Sequence, residues 1–524
     1  MHARRLGFWL AMAILGATIG TVPVSADGGA VLVAGSTLPD VPPLDGVIRL
    51  DLTVRNGTTA AWRPADLMHL IWRTGSGQSV ADDQRPLGVA VAPNATAHLT
   101  FVTLAPAQVG DFTLTTQLQT GATMLPVGAV MPYHLSGFLF QGKGNGHGLG
   151  MSQWGARGRA EAGQSYRTIL AAYYQGTRIE TRDTSGSVRI ALTHGALDLA
   201  RPWARLFGPF PQIAGPLSID GLALQVGAGA ALGFAANSAG QPTAFVQAPD
   251  GTQGAPVVLS GPITVHAQGA AGLRTNLAQT LDSDFRTGSE QRRYAGTLRI
   301  IPTDGARILP VNVLPMEDYL KGVVPAEMPA YWGNEALKAQ AVAARTYAMR
   351  KIALGGSGAD FDLEGNEFDQ AYSGLSDQRS ATTSAVDATR GQVLTSGGHL
   401  IDALFTASNG GHSSDSEYGF IHWNHGLKPA ARISYLRGIS DPLDRAPSWQ
   451  VGPFSPTDAA TILRDSGEDI GDRLLGIDVL QRSPAGRIMG VRLRGSGSTD
   501  EVSGPVLRSY FGLPDTLVDV VGGS

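Results

Sequence analysis

The 524-residue chain has no cysteine. That excludes disulfides, a thiolate metal site and a lipid-modified cysteine, so stability rests on core burial, and any metal would depend on His and carboxylate. Charge is scarce as well: Asp, Glu, Lys and Arg make up 16% of the chain, with a net charge of −4. Binding to a phosphate backbone needs clustered Lys and Arg, so no nucleic-acid partner is expected. Beyond residue 26 no apolar run is long enough to span a bilayer.

What is present begins with a targeting pattern. Arg4-Arg5 precede an apolar run from Leu6 to Val22, and Val24-Ser25-Ala26 supply small residues for cleavage before Asp27. This reads as a signal peptide over residues 1–26, with an uncleaved membrane anchor as the alternative. On either reading the remainder is expected outside the cytoplasm, secreted or cell-wall associated.

Patterning divides the rest, and the fold class expected is a multidomain, β-rich α+β protein. Residues 27–135 carry short alternating strands such as Val47–Val54, Thr96–Val102 and Gly110–Leu118, separated by Gly, Pro and Asn. Such a series predicts a small β-sandwich. Residues 136–186 hold the glycine-rich run Gly142–Ala156, which contains His147, and a helix capped by Ser165. Residues 187–524 are expected to form a mixed α+β catalytic core. Within them Gly227–Gly240 is rich in small residues and suits a flexible arm. A strong helix follows Asn334, which is placed to cap it, and its face of Leu337, Ala341, Ala344 and Ala348 lets another backbone approach closely.

The chemical interest lies at Glu327. Pro325 and Pro329 flank it, stiffening what reads as a loop, and Val323, Val324, Met328 and Trp332 give it apolar surroundings. A carboxyl in such a setting is raised in pKa and kept protonated for acid catalysis. An ordinary surface-loop glutamate or a carboxylate at a helix N-terminus fits the same spacing. The glycine run has no Lys-Ser/Thr after it, so nucleotide binding is not expected.

The segment Val311–Pro329, continued through Glu335–Tyr347, resembles the signature of the stage II sporulation protein D and amidase-enhancer family. Gln370–Gly374, Ala385–Leu394, Ser408–Ser413 and Val491–Gly504 follow in that family's order. The strand order of residues 27–135 similarly resembles the immunoglobulin-like accessory domains of secreted bacterial proteins. The family resemblance implies a lytic transglycosylase acting on peptidoglycan glycan strands, above all peptide-stripped ones, with Glu327 as its acid. It implies that Arg345 orients that carboxylate or binds substrate, and that Gln370, Tyr372 and Ser408 bind glycan. A single acid needs no cofactor. The alternative function is a non-catalytic wall-binding enhancer of a cell-wall amidase.

Two departures stand out. Some family members hold zinc with His and Cys, but here Thr406 takes the His position and no Cys exists, so no metal is expected. His412, His422 and His425 with Asp415 and Glu417 are the substitute ligands to weigh against ordinary loop polar residues. The glycine-rich motif also precedes the core here, whereas in the sporulation proteins it follows. His147 is either a glycan-contacting residue or a structural, hydrogen-bonded one.

Overall fold

A computed structural model describes residues 30–35, 47–106, 110–135, 137–200, 212–269, 271–275, 279–281, 287–289, 292–419, 422–423, 427–428 and 430–523. The segment expected to be a signal peptide and His425 lie outside them. The described chain is a β-rich α+β protein with seven α-helices. None of those helices is long and apolar enough to cross a membrane.

Seven strands come first: β1 (Ala30–Gly35), β2 (Val47–Asn56), β3 (Leu67–Thr74), β4 (Ser79–Pro86), β5 (Thr96–Leu104), β6 (Gly110–Thr120) and β7 (Thr123–Leu135). They form two antiparallel sheets, β1-β2-β5 and β4-β3-β6-β7. Alternation sets the inner faces: Leu99, Phe101 and Thr103 of β5 and Phe112, Leu114, Thr116 and Leu118 of β6 are buried between more exposed neighbours. With Leu50 and Trp72 they enclose a core of their own.

The chain then continues as β8 (Gly137–Gly142), β9 (Met151–Ser152), α1 (Gln153–Glu161) and α2 (Tyr166–Tyr173). As expected, Ser165 caps α2, its side chain accepting from the Thr168 amide. These elements are threaded through later ones. β8 lies between the strands Trp449–Phe454 and Val518–Gly523. β9 pairs in parallel with Phe405–Thr406, and Arg178–Thr181 pairs with Gln392–Ser396.

A mixed sheet follows in the order Leu217–Asp220, Ile263–Ala267, Thr297–Thr303, Arg307–Pro315, Ser187–Ala191, Leu363–Glu364. A second sheet is inserted beside it, from Val257–Val258 to Arg292–Tyr294. The expected flexible arm is instead the strand Ala231–Ala236 of this inserted sheet. Leu232 and Phe234 are buried there, and Gly233 is small because the Phe245 ring occupies the space a Cβ would take.

Helices α3 (Met316–Glu327) and α4 (Asn334–Ala353) pack together, and α5 (Ser380–Ala388) lies against both. α4 also contacts α1 and α2. Burial on nearly every face explains its run of alanines, which lets four helices approach it. Its N-cap is Gly333, not Asn334, which is its first residue. α6 (Pro456–Asp465) and α7 (Gly504–Phe511) close a further core with Phe138 and Phe140 of β8.

Candidate functional site

Glu327 is not in a loop: it is the last residue of α3, and Pro325 lies inside that helix. A proline there removes one backbone bond two residues from the helix end, where little helix remains to be disrupted. Val323 and Val324 anchor the last turns in the core. The Glu327 carboxyl is half-buried and held at both oxygens. Oε2 accepts from the Gln153 side-chain amide at 2.8 Å, and Oε1 accepts from the Ala371 backbone N–H at 2.8 Å.

Burial pushes the Glu327 pKa up, and the exposed carboxylate Glu367 adds to this, while the two hydrogen bonds pull it part of the way back. The negative pole of α3 acts in the same direction as burial. Among the described residues no cation pairs with Glu327. Asp318, Glu335 and Asp369 pair instead with Lys321, Lys338 and Lys351. Glu327 is thus a carboxyl of raised pKa with its orientation fixed.

Gln153 and Ala371 went unnoticed in the sequence, although Gln153 lies in the glycine-rich run. Gln153 opens α1 and is buried. The cap residue Ser152 donates to Asp444, as does Ser408, which is buried and has no surface to offer a glycan. Ser408 therefore positions the start of α1. Gly150 holds a left-handed backbone (φ 66°), and a Cβ there would run into the Leu404 carbonyl. His147 Nδ1 accepts from the Leu149 N–H at 3.0 Å. Burial, with Arg508 and Arg487 nearby, pushes its pKa down to about 4, so the ring is neutral, and it also bonds the Phe405 backbone. The ring is partly buried and held in place by these contacts.

Gln370 and Tyr372 are buried too, not glycan-facing. Gln370 accepts from the Tyr319 hydroxyl at 3.0 Å and donates to the Ala344 carbonyl at 3.2 Å. Tyr372 donates to Asn312 Oδ1 at 2.7 Å and packs on Tyr319 with ring centroids 5.2 Å apart. Anchored on both sides, Ala371 presents its N–H to Glu327.

Arg345 is 0% exposed and neither touches Glu327 nor faces solvent. Its Nε and Nη2 donate to Glu317 at 3.1 and 2.7 Å, and it also donates to the carbonyls of Gln392 and Val386. Burial alone would raise the Glu317 pKa, but Arg345, with Thr184 and the Gly391 amide, holds it below its ordinary value. The pair fixes the start of α3, roughly 15 Å along the helix from Glu327.

Of the substitute metal ligands, Asp415 and Glu417 clamp Arg437 at 2.6 Å each. Thr406 donates to the Asn145 carbonyl at 2.8 Å. A cavity of about 360 Å³ lined by Gln212, Gln247, Arg274 and Thr275 belongs to the inserted sheet and includes none of the residues around Glu327.

Residues 304–396, which contain α3, Glu327 and α4, match the model of the stage II sporulation protein family. The chain carries a domain of the stage II sporulation protein D and amidase-enhancer family. The amidase enhancer of Bacillus subtilis (strain 168) is 42% identical over 132 residues, 25% of this chain and 16% of that protein. Stage II sporulation protein D of the same organism is 27% identical over 213 residues, 38% of this chain and 56% of that protein. An uncharacterized protein of Brachyspira hyodysenteriae (strain ATCC 49526 / WA1) is 39% identical over 146 residues, 28% of this chain and 37% of that one. The chain thus spans little more than half of these relatives at most. The family domain supplies Glu327, Ala371, Glu317 and Arg345, while Gln153 lies outside the matched residues.

Proposed function

We propose that this chain is an extracytoplasmic lytic transglycosylase that cleaves peptidoglycan glycan strands, peptide-stripped ones above all. The observation that supports this most is the Glu327 carboxyl, raised in pKa and unpaired with any cation among the described residues, yet held at both oxygens. Two largely exposed aromatics, Tyr331 at 80% and Phe368 at 57%, lie within four residues of Glu327 and three of Ala371, as suits a surface that packs on sugar rings.

Protonated Glu327 donates its proton to the glycosidic oxygen between N-acetylmuramic acid and N-acetylglucosamine, and the bond to the muramic C1 breaks. The carboxylate left behind takes the proton of the muramic C6 hydroxyl as that oxygen closes on C1. The proton count balances, no water is consumed, and the product is a 1,6-anhydro end. Gln153 and the Ala371 N–H keep the carboxylate in place between the two transfers. A hydrolase would need a second carboxylate at a set separation. Asp318, Glu335 and Asp369, the carboxylates nearest in sequence, each hold a lysine.

In the same reading residues 1–26 are a signal peptide and residues 27–135 an immunoglobulin-like sandwich, whose β1-β2-β5 and β4-β3-β6-β7 order suits such a module. Residues 136–186 then complete the core of 187–524. The 42% identity to a protein named amidase enhancer supports a second reading, a wall-binding partner of an amidase.

Digestion of peptide-free glycan strands decides between them. The chain should release 1,6-anhydro-muramic ends, and Glu327→Gln should release them at least about 100-fold more slowly. No such ends, or an equally active variant, rejects the enzymatic reading. A gain in amidase activity on whole walls under those results supports the enhancer.

A further inference from the structure

One turn beyond Gln153, α1 carries a charged group that the proposed acid chemistry does not use. Arg157 is at position i+4 from Gln153 and so lies on the same helix face as the residue that holds Glu327. Its guanidinium lies over two indoles, 4.9 Å from the Trp154 ring centroid and 5.5 Å from that of Trp332. The two rings contact each other with centroids 5.0 Å apart. One indole follows Gln153 directly and the other is five residues after Glu327, so the aromatic pair bridges the two sides of the acid site.

Cation–π attraction to the two rings holds the guanidinium without using its N–H groups. Nε donates to Glu161 at 2.7 Å. Neither Nη has a hydrogen-bond partner among the described residues, and the side chain is 29% exposed. A planar cation held against two indoles, with one edge bonded and a pair of donors open, matches a carboxylate taken through two parallel hydrogen bonds. Glycan strands offer such a group in one state only. Where the stem peptide is present, the lactyl carboxyl of muramic acid is an uncharged amide. Where it has been removed, the carboxylate is free.

We propose that Arg157, held on the Trp154–Trp332 pair, binds the free lactyl carboxylate of a muramic residue and so selects peptide-stripped strands. This rests on the glycan-strand reading of the Glu327 site, but it does not require that Glu327 be catalytic.

The test is binding by the full chain carrying Glu327→Gln, so that no strand is consumed. Its ligands are peptide-free strands and the same strands with their lactyl carboxylates converted to methyl amides. The free acid should bind roughly tenfold tighter or more, as a charge-assisted pair allows. Adding Arg157→Gln should bring that ratio close to one, while Arg157→Lys should restore part of it, with thermal melts confirming that each variant is folded. A ratio near one before Arg157 is changed, or a ratio that survives Arg157→Gln, overturns the proposal. If the ratio behaves as stated and the native chain forms no 1,6-anhydro ends, transglycosylation fails while the carboxylate site stands.

Discussion

At Glu327 the requirements of stability and chemistry diverge. Burial raises its pKa above the ordinary glutamate value of 4.5, so the folded state holds the proton more tightly than the unfolded chain does. The sign follows from linkage: below the unfolded value both states are protonated and nothing is lost, whereas stability falls as pH rises through the folded value. Glu327→Gln removes that loss. Its thermal midpoint should exceed that of the native chain at pH 7, and the difference should shrink toward pH 4. Equal differences at both values would show that the carboxyl is not desolvated in solution. Gln153 acts through Glu327. Its N–H favours the carboxylate, so Gln153→Leu should raise the Glu327 pKa further. The alkaline limb of the cleavage rate should then move to higher pH while kcat falls. A drop in rate with no movement of that limb would make Gln153 merely structural.

Among the elements, α3 decides the site, because one end is tied by Glu317 and the other carries Glu327. The Glu317–Arg345 pair is almost wholly shielded, with side chains 5% and 0% exposed. Removing one partner of such a pair leaves an uncompensated buried charge. Arg345→Met should therefore cost about 3–5 kcal/mol in urea unfolding. Combining it with Glu317→Leu should recover part of that cost. An Arg345→Met chain of native stability with a raised KM for glycan would return Arg345 to the binding surface. The sequence made α4 legible through its helix formers, α2 through its Ser165 cap, and the sandwich strands through their alternation. It misled at Pro325, because a proline normally ends a helix and this one lies close enough to the end to be tolerated. Arg345 was misassigned for another reason: its partner is 28 positions away, and spacing within one helix does not reveal a buried pair on another. Gln153 was equally hidden, 174 positions from the carboxylate it holds.

The whole molecule is built so that a segment early in the chain completes a site made later. β8 to α2 bring Gln153 to Glu327, although the same motif follows the core in the sporulation proteins the sequence resembles. The strand pairing lets either order bring that segment to Glu327. Val518–Gly523 runs antiparallel to β8 with Gly523 opposite Gly137, so the end of one strand lies beside the start of the other. A hairpin loop of a few residues closes that gap. Between Thr181 and Ser187, by contrast, the chain runs through partly exposed residues, including Ser185, which turns on the Asp183 side chain. Cutting there and joining Gly523 to Gly137 places the glycine-rich segment after the core without breaking a strand pair or moving α1. Such a permutant, starting near Ser187 and lacking the sandwich, should melt cooperatively and cleave glycan strands in a Glu327-dependent way. A chain with residues 137–182 simply deleted should lose both, since Glu327 would lose Gln153 and Gln392–Ser396 would lose its neighbour Arg178–Thr181. If the deletion melts and cleaves like the permutant, the early segment is an accessory and not part of the site. If the permutant folds but Gln153→Leu no longer shifts its pH profile, the two orders build different sites around the same glutamate.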